Sequence, residues 1–174
     1  MADCSNALKQ WTGKASATII YDSTVDEFTH DGLFEKVKGK PNIALVGFTT
    51  DGDVFGGFYS VAVTEQERRF FDPLIFAFSF ESHGRCVTPQ RFSVKEGLGK
   101  EPHVWFYENG SKGFVWFGVY GEGGPFLGDE SSDSYCWQVS HTFEGLDDTT
   151  LTGKNGTDEG PFHHCARLVS VQLE

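Results

Sequence analysis

The sequence predicts a mainly β fold (α+β overall), two antiparallel sheets forming a β-sandwich flanked by short helices. Three observations carry that reading. From Asn42 onwards, short β-branched or aromatic runs recur, each bounded by turn residues. Only one or two segments carry helical spacing, too few to cover a parallel sheet. Asp51-Gly52-Asp53 and Asn109-Gly110 stand between apolar runs, where glycine supplies the positive φ of a tight turn.

The elements follow in order. Residues 3–11 form a short helix capped by Asp3 or Ser5, with Ala7, Leu8 and Trp11 on one face and Gly13 ending it. Ala15–Tyr21 reads as a strand. Phe28–Lys38 is the best helix: Thr29 caps it, Phe28 and Leu33 are spaced as a hydrophobic staple, and Gly39 with Pro41 stops it. Leu33, Phe34 and Val37 are its expected buried stripe. Strands are expected at Asn42–Phe48, Val54–Val63, Leu74–Phe80, Val87–Val94, His103–Tyr107, Phe114–Val119, Ser134–Val139 and Ala166–Leu173. Thr64–Phe71 reads as a helical turn, and Glu108–Lys112 as a hairpin turn. Gly56-Gly57 inside a strand marks a bulge, a hinge or the close approach of another group. The expected organisation is a single domain over residues 1–174, with residues 1–14 a short helical extension.

Composition narrows the function. The net charge of −11 opposes nucleic acid and anionic lipid, and leaves a basic protein partner open. No apolar run approaches the roughly 20 residues of a spanning helix, so no membrane insertion is expected. Residues 1–13 lack the basic and apolar regions of a secretory signal, which makes cytoplasmic the expected location. Cys4, Cys86, Cys136 and Cys165 form no CxxC pair and read as reduced thiols. Asn109-Gly110-Ser111 and Asn155-Gly156-Thr157 match glycosylation sequons but read as turns. Neither glycine cluster precedes a phosphate-binding helix, and no cofactor is expected.

Several residues are weighed as chemistry. Glu81 follows the apolar run Phe76–Phe80, where partial burial would raise its pKa. Cys86 lies beside Arg85 and near His83, a setting that lowers a thiol pKa and favours oxidation. His83, Cys86, His163, His164 and Cys165 are the only set with zinc-like donors, at spacings that match no common zinc motif. The acidic pairs Asp26-Glu27, Asp129-Glu130 and Asp147-Asp148 read as solvated turns. Trp105 and Tyr107 alternate with Phe106, and the aromatic runs at 104–107 and 114–117 read as core rather than as stacking platforms.

Taken in order, residues 20–58 (IIYDSTVDEFTHDGLFEKVKGKPNIALVGFTTDGDVFGGF), 74–81 (LIFAFSFE), 113–145 (GFVWFGVYGEGGPFLGDESSDSYCWQVSHTFEG) and 151–156 (LTGKNG) with 168–173 (LVSVQL) resemble the TLDc domain of oxidation-resistance proteins. The resemblance implies a β-sandwich, protection against oxidative stress and, in several members, binding to the vacuolar proton ATPase. It implies no accepted catalytic mechanism. Gly52, Phe55, Gly56, Gly57 and Phe58 match its turn-strand core, and Gly123, Gly124, Cys136 and Phe143 its later half, all as structural residues. The chain departs where the family closes on an acidic-aromatic strand and this sequence reads Arg167-Leu168-Val169-Ser170. Residues 81–92 (ESHGRCVTPQRF) are also atypical. No companion domain is present, so a stand-alone copy is expected.

The function expected from sequence is therefore a non-enzymatic interaction module with a protein partner, the proton-ATPase subunits being the partner the resemblance implies. The alternatives are a redox sensor or weak catalyst using Cys86, His83 and Glu81, and a structural zinc-binding interaction domain.

Overall fold

A computed structural model describes residues 2–111, 113–128 and 134–174. The expected Asp129-Glu130 pair and Lys112 of the hairpin turn lie outside them. Two antiparallel sheets pack face to face. The first contains β1 (Ala17–Asp22), β2 (Ile43–Thr49), β3 (Val54–Tyr59), β5 (Phe76–Glu81), β6 (Gln90–Ser93) and β11 (Cys165–Leu173). Its order is β1-β11-β2-β3-β5-β6. The second contains β4 (Arg69–Phe71), β7 (Pro102–Phe106), β8 (Val115–Val119), β9 (Gly124–Leu127) and β10 (Tyr135–Trp137), ordered β10-β9-β8-β7-β4.

Alternation along the strands builds the inner core. Leu45, Phe55, Ala77 and Leu168 of the first sheet meet Val104, Phe106, Phe117 and Leu127 of the second. The first sheet is apolar on its other face too, where Val46, Phe58, Phe76, Phe78 and Val171 pack with Leu8 of helix α1 (Ala2–Thr12). Trp11 closes that layer by stacking on Phe80 at 5.7 Å. Helix α2 (His30–Val37) contributes to the inner core through Leu33, Phe34 and Val37. Thr29 Oγ1 accepts the Gly32 N–H at 3.0 Å, and Gly39 follows at φ +72. These are the start and stop that Thr29 and Gly39 encode.

Gly56 and Gly57 form neither a hinge nor a bulge. They pair in unbroken register with Val46 and Leu45 of β2, and neither has a positive φ. The pair instead answers to close approach. A Cβ on Gly57 would fall under 3.0 Å from the ring of Phe117, which crosses from the second sheet into the space glycine leaves. On Gly56 a Cβ would collide with the Leu45 carbonyl and the Phe78 ring. Positive φ is required nearby, at Gly52 (φ +92), where the Gly52 N–H donates to the Thr49 carbonyl at 3.0 Å.

Other expectations are corrected. Helix α1 begins at Ala2, so Asp3 and Ser5 lie inside it rather than at a cap. Thr64–Phe71 is no helical turn: its last three residues form edge strand β4, paired with β7. The Glu67 N–H donates to the Phe106 carbonyl at 2.8 Å, and Gln66 Nε2 donates to the Tyr107 carbonyl at 2.8 Å, which fastens this segment to β7. β3 ends at Tyr59, not at Val63. The Ser134–Val139 run stops early because Gln138 turns left-handed (φ +43) and starts the short helix α3 (Val139–Thr142). Trp105, Tyr107, Trp116 and Trp137 are not core. They stand half-buried on the outward face of the second sheet, while Val104, Phe106 and Phe117 fill its inward face.

The Gly57–Phe117 interlock has a measurable consequence. Gly57→Val should destabilise the fold by about 1–3 kcal/mol, since overpacking forces Phe117 out of its place. Adding Phe117→Leu should recover part of that loss in urea unfolding. Equal midpoints for the wild type and Gly57→Val would show that the close contact costs nothing.

Candidate functional site

The residues singled out for chemistry gather at one end of the first sheet, on the turn between β2 and β3 and the loop between β5 and β6. The turn brings Asp53 to the start of β3, 2 % exposed, with its N–H donating to Thr49 Oγ1 at 3.0 Å. Arg85 donates to the Asp53 carboxylate. Its Nε also donates to the Thr150 carbonyl at 3.1 Å, and Nη2 to the Leu151 carbonyl at 3.2 Å. One guanidinium thus ties three segments that are distant in sequence. Five N–H donors in a rigid plane suit arginine to that task.

His83 and Glu81 are committed within the same loop. His83 adopts φ +50, and its Nε2 lies 2.9 Å from the Asp51 carbonyl oxygen. A carbonyl only accepts, so Nε2 carries the proton. Glu81 corrects the sequence expectation. It is exposed, and its carboxylate accepts the His83 N–H at 2.7 Å and the Ser82 N–H at 2.9 Å. Those bonds hold its pKa below the usual carboxylate range, opposite to the expected rise. Cys86 is partly buried against the inner core, its Sγ 3.3 Å from Ser82 Oγ. The three residues share a loop, but the glutamate binds backbone and the imidazole turns to Asp51.

The zinc-like set does not converge. Among the described residues no three His, Cys, Asp or Glu side chains are placed to hold a metal. His163 is 1 % exposed, edge-on to Phe55 at 5.3 Å, and neither ring nitrogen has a hydrogen-bond partner. Burial, aided by Lys154 and His164, pushes its pKa down to about 3. His164 is exposed, and buried Cys165 directs its thiol to the Arg167 carbonyl at 3.1 Å. Lys154 Nζ bonds Asp51 Oδ2 and the Phe162 carbonyl, both at 3.0 Å, fastening the same turn from the other side. Burial raises the thiol pKa of Cys136 well above its ordinary value.

A family model for the TLDc domain matches residues 3–159, most of the 174-residue chain. The chain belongs to the TLDc domain family. No curated protein matches it. TLDc modules are linked generally to oxidative-stress resistance and to protein–protein interaction. In this TLDc chain the fold runs past the matched span, because β11 lies between β1 and β2 in the middle of the first sheet. Arg167, beyond the matched span, ion-pairs with Asp22 through Nε and Oδ1 at 2.9 Å. That pairing draws the Asp22 carboxyl well below its ordinary pKa. Phe55 and Phe143 are buried, and a Cβ on Gly123 would strike the Trp137 and Gln138 carbonyls.

Sequence reasoning missed Asp53 and Arg85 as partners. The only signal was an Asp directly before an apolar strand, and nothing local points from it to Arg85, 32 residues on.

Two outcomes follow. Arg85→Met leaves the Asp53 charge buried without its partner and should destabilise the protein by about 3–5 kcal/mol. The Asp53→Asn/Arg85→Met pair should cost less than the two single losses summed; simple additivity would remove the coupling. The second outcome concerns His163. In the folded protein it binds a proton only near pH 3, against about 6.5 unfolded. The unfolded chain therefore holds more protons between those values, and stability falls as pH drops through that window. His163→Leu should lose roughly 2 kcal/mol less than the wild type between pH 7 and pH 4.5. Parallel losses in both proteins would assign the pH dependence to other groups.

Proposed function

We propose that this TLDc chain is a non-enzymatic binding module of the cytoplasm that acts in oxidative-stress resistance through a protein partner, the vacuolar proton ATPase. The observation that carries the reading is the TLDc match over residues 3–159. The geometry at the loop end agrees with it. Glu81, His83 and Arg85 hold backbone and carboxylate groups in place, so their polar atoms serve the shape of a surface. That surface presents Val87, 81 % exposed, on the loop Arg85 secures. A fixed loop loses little conformational entropy on docking, and an exposed branched side chain at its tip supplies apolar contact.

The test is recovery of proton-pump subunits from cell lysate on the immobilised chain, identified by mass spectrometry. The wild type should recover them. Val87→Asp, exposed and remote from the core, should reduce recovery several-fold while leaving the unfolding midpoint unchanged. Recovery no higher than on thermally unfolded protein would end the ATPase reading. Undiminished recovery with Val87→Asp would move the contact away from this loop.

A further inference from the structure

The outward face of the second sheet carries one continuous row. Register places Arg69 opposite Trp105, Trp105 opposite Trp116, Trp116 opposite Phe126, and Phe126 opposite Tyr135. One cation and four aromatic residues thus cross all five strands side by side. Trp137 and Tyr107 flank the row, and three of the four tryptophans of the chain lie on this face. Here they bound a groove of about 450 Å³. A second groove of about 580 Å³ continues it, sharing Arg69, His103 and Tyr120 and adding Lys95, Lys100 and the loop at Gly97–Gly99. Both volumes fall in the range of small-molecule sites.

Three polar atoms of the groove, on Arg69, His103 and Trp105, are enclosed without a partner. Each other arginine has an oxygen acceptor: Arg68 on Glu65, Arg85 on Asp53, Arg91 on the Trp11 carbonyl and Arg167 on Asp22. No ion pair or hydrogen bond of the Arg69 side chain is found among the described residues. Its guanidinium lies over Tyr120, with Cζ 3.9 Å from the ring centre, and its Nε is enclosed without a partner. Trp105 Nε1 and His103 Nδ1 are enclosed and unpartnered as well, His103 being 1 % exposed. Burial pushes the His103 pKa down to about 4, so the ring is neutral at pH 7 and adds no charge to the groove. Of the groove's cations, Lys100 is held by Glu122 at 3.0 Å, while Arg69 and Lys95 have no carboxylate partner among the described residues.

We propose that this groove binds a nucleoside phosphate, the base against the Trp105–Trp116 rings and the phosphate on Arg69 and Lys95. Stacking takes any base, because every base has a π face, and an unpaired guanidinium is the preferred partner of phosphate. A cationic ligand is opposed by the positive charge of Arg69, which lies over Tyr120 at the edge of the groove. A neutral sugar or a proline-rich segment would use the rings and leave Arg69 and Lys95 uncompensated. A long nucleic acid meets the full charge of −11, whereas a single nucleotide meets only the local field.

Titration calorimetry of the whole chain with ATP, adenosine and tripolyphosphate separates these cases. ATP should bind, and adenosine and tripolyphosphate should each bind about ten-fold or more weakly, since each lacks one half of the contacts. Arg69→Gln and Lys95→Gln, neither in the core, should each weaken ATP with an unchanged unfolding midpoint, Arg69→Gln by about ten-fold or more. Trp116→Ala should weaken ATP and adenosine alike. The proposal fails if ATP gives no heat of binding, if tripolyphosphate binds as tightly as ATP, or if Arg69→Gln leaves ATP affinity unchanged. Binding of an acidic proline-rich peptide in place of ATP, lost in Arg69→Gln, would overturn it in favour of a peptide site.

Discussion

The sandwich depends on one contact between its sheets, the Phe117 ring seated over Gly57. Facing sheets ordinarily stand about 10 Å apart, filled by side chains from both sides. Here one side contributes a ring and the other bare backbone, so the ring reaches the main chain of β3. The same device recurs at Gly113, where an added Cβ would strike the ring of Phe126. Aromatic residues supply the core volume and glycines set where that volume fits.

The loop end is governed by a different force. Leu146 and Leu151 reach the inner core from the long segment between α3 and β11, yet that segment has little regular structure to hold it. Arg85 and Lys154 satisfy its carbonyls and join it to the β2–β3 turn. Polar cross-links thereby fix loops that hydrophobic packing anchors at only a few points. Glu81, His83 and Arg85, which looked most chemical in sequence, bond to this framework.

The two outer faces of the sandwich differ in kind. On the first sheet Leu8 and Trp11 of α1 pack on the aliphatic and phenyl side chains of the outer face. On the second sheet Trp105, Tyr107, Trp116, Tyr135 and Trp137 stay half-buried on the outward face, beside an arginine whose side chain has no oxygen acceptor among the described residues. Rings with polar edges tolerate partial exposure better than phenylalanine does, and tryptophan and tyrosine make up most of the half-buried rings here.

The sequence by itself determined the β-sandwich class, helix α2 with its Thr29 cap and Gly39 stop, the tight turn at Gly52 and most of the strands. Those features are local: periodicity, β-branching and turn chemistry act within a few residues. It also determined that Trp105 and Tyr107 would face away from Phe106, because side chains alternate along any strand. Tertiary structure alone decided which of those faces met the other sheet. It also made a strand of Arg69–Phe71, a charged and locally helix-like segment that pairs only because β7 lies beside it. Glu81, read as a strand-end acid of raised pKa, is exposed and bound to backbone because the following loop folds back on it. The Asp53–Arg85 tie and the Gly57–Phe117 contact span 32 and 60 residues. No local preference encodes such partners, since they exist only once separate strands and loops have been brought together.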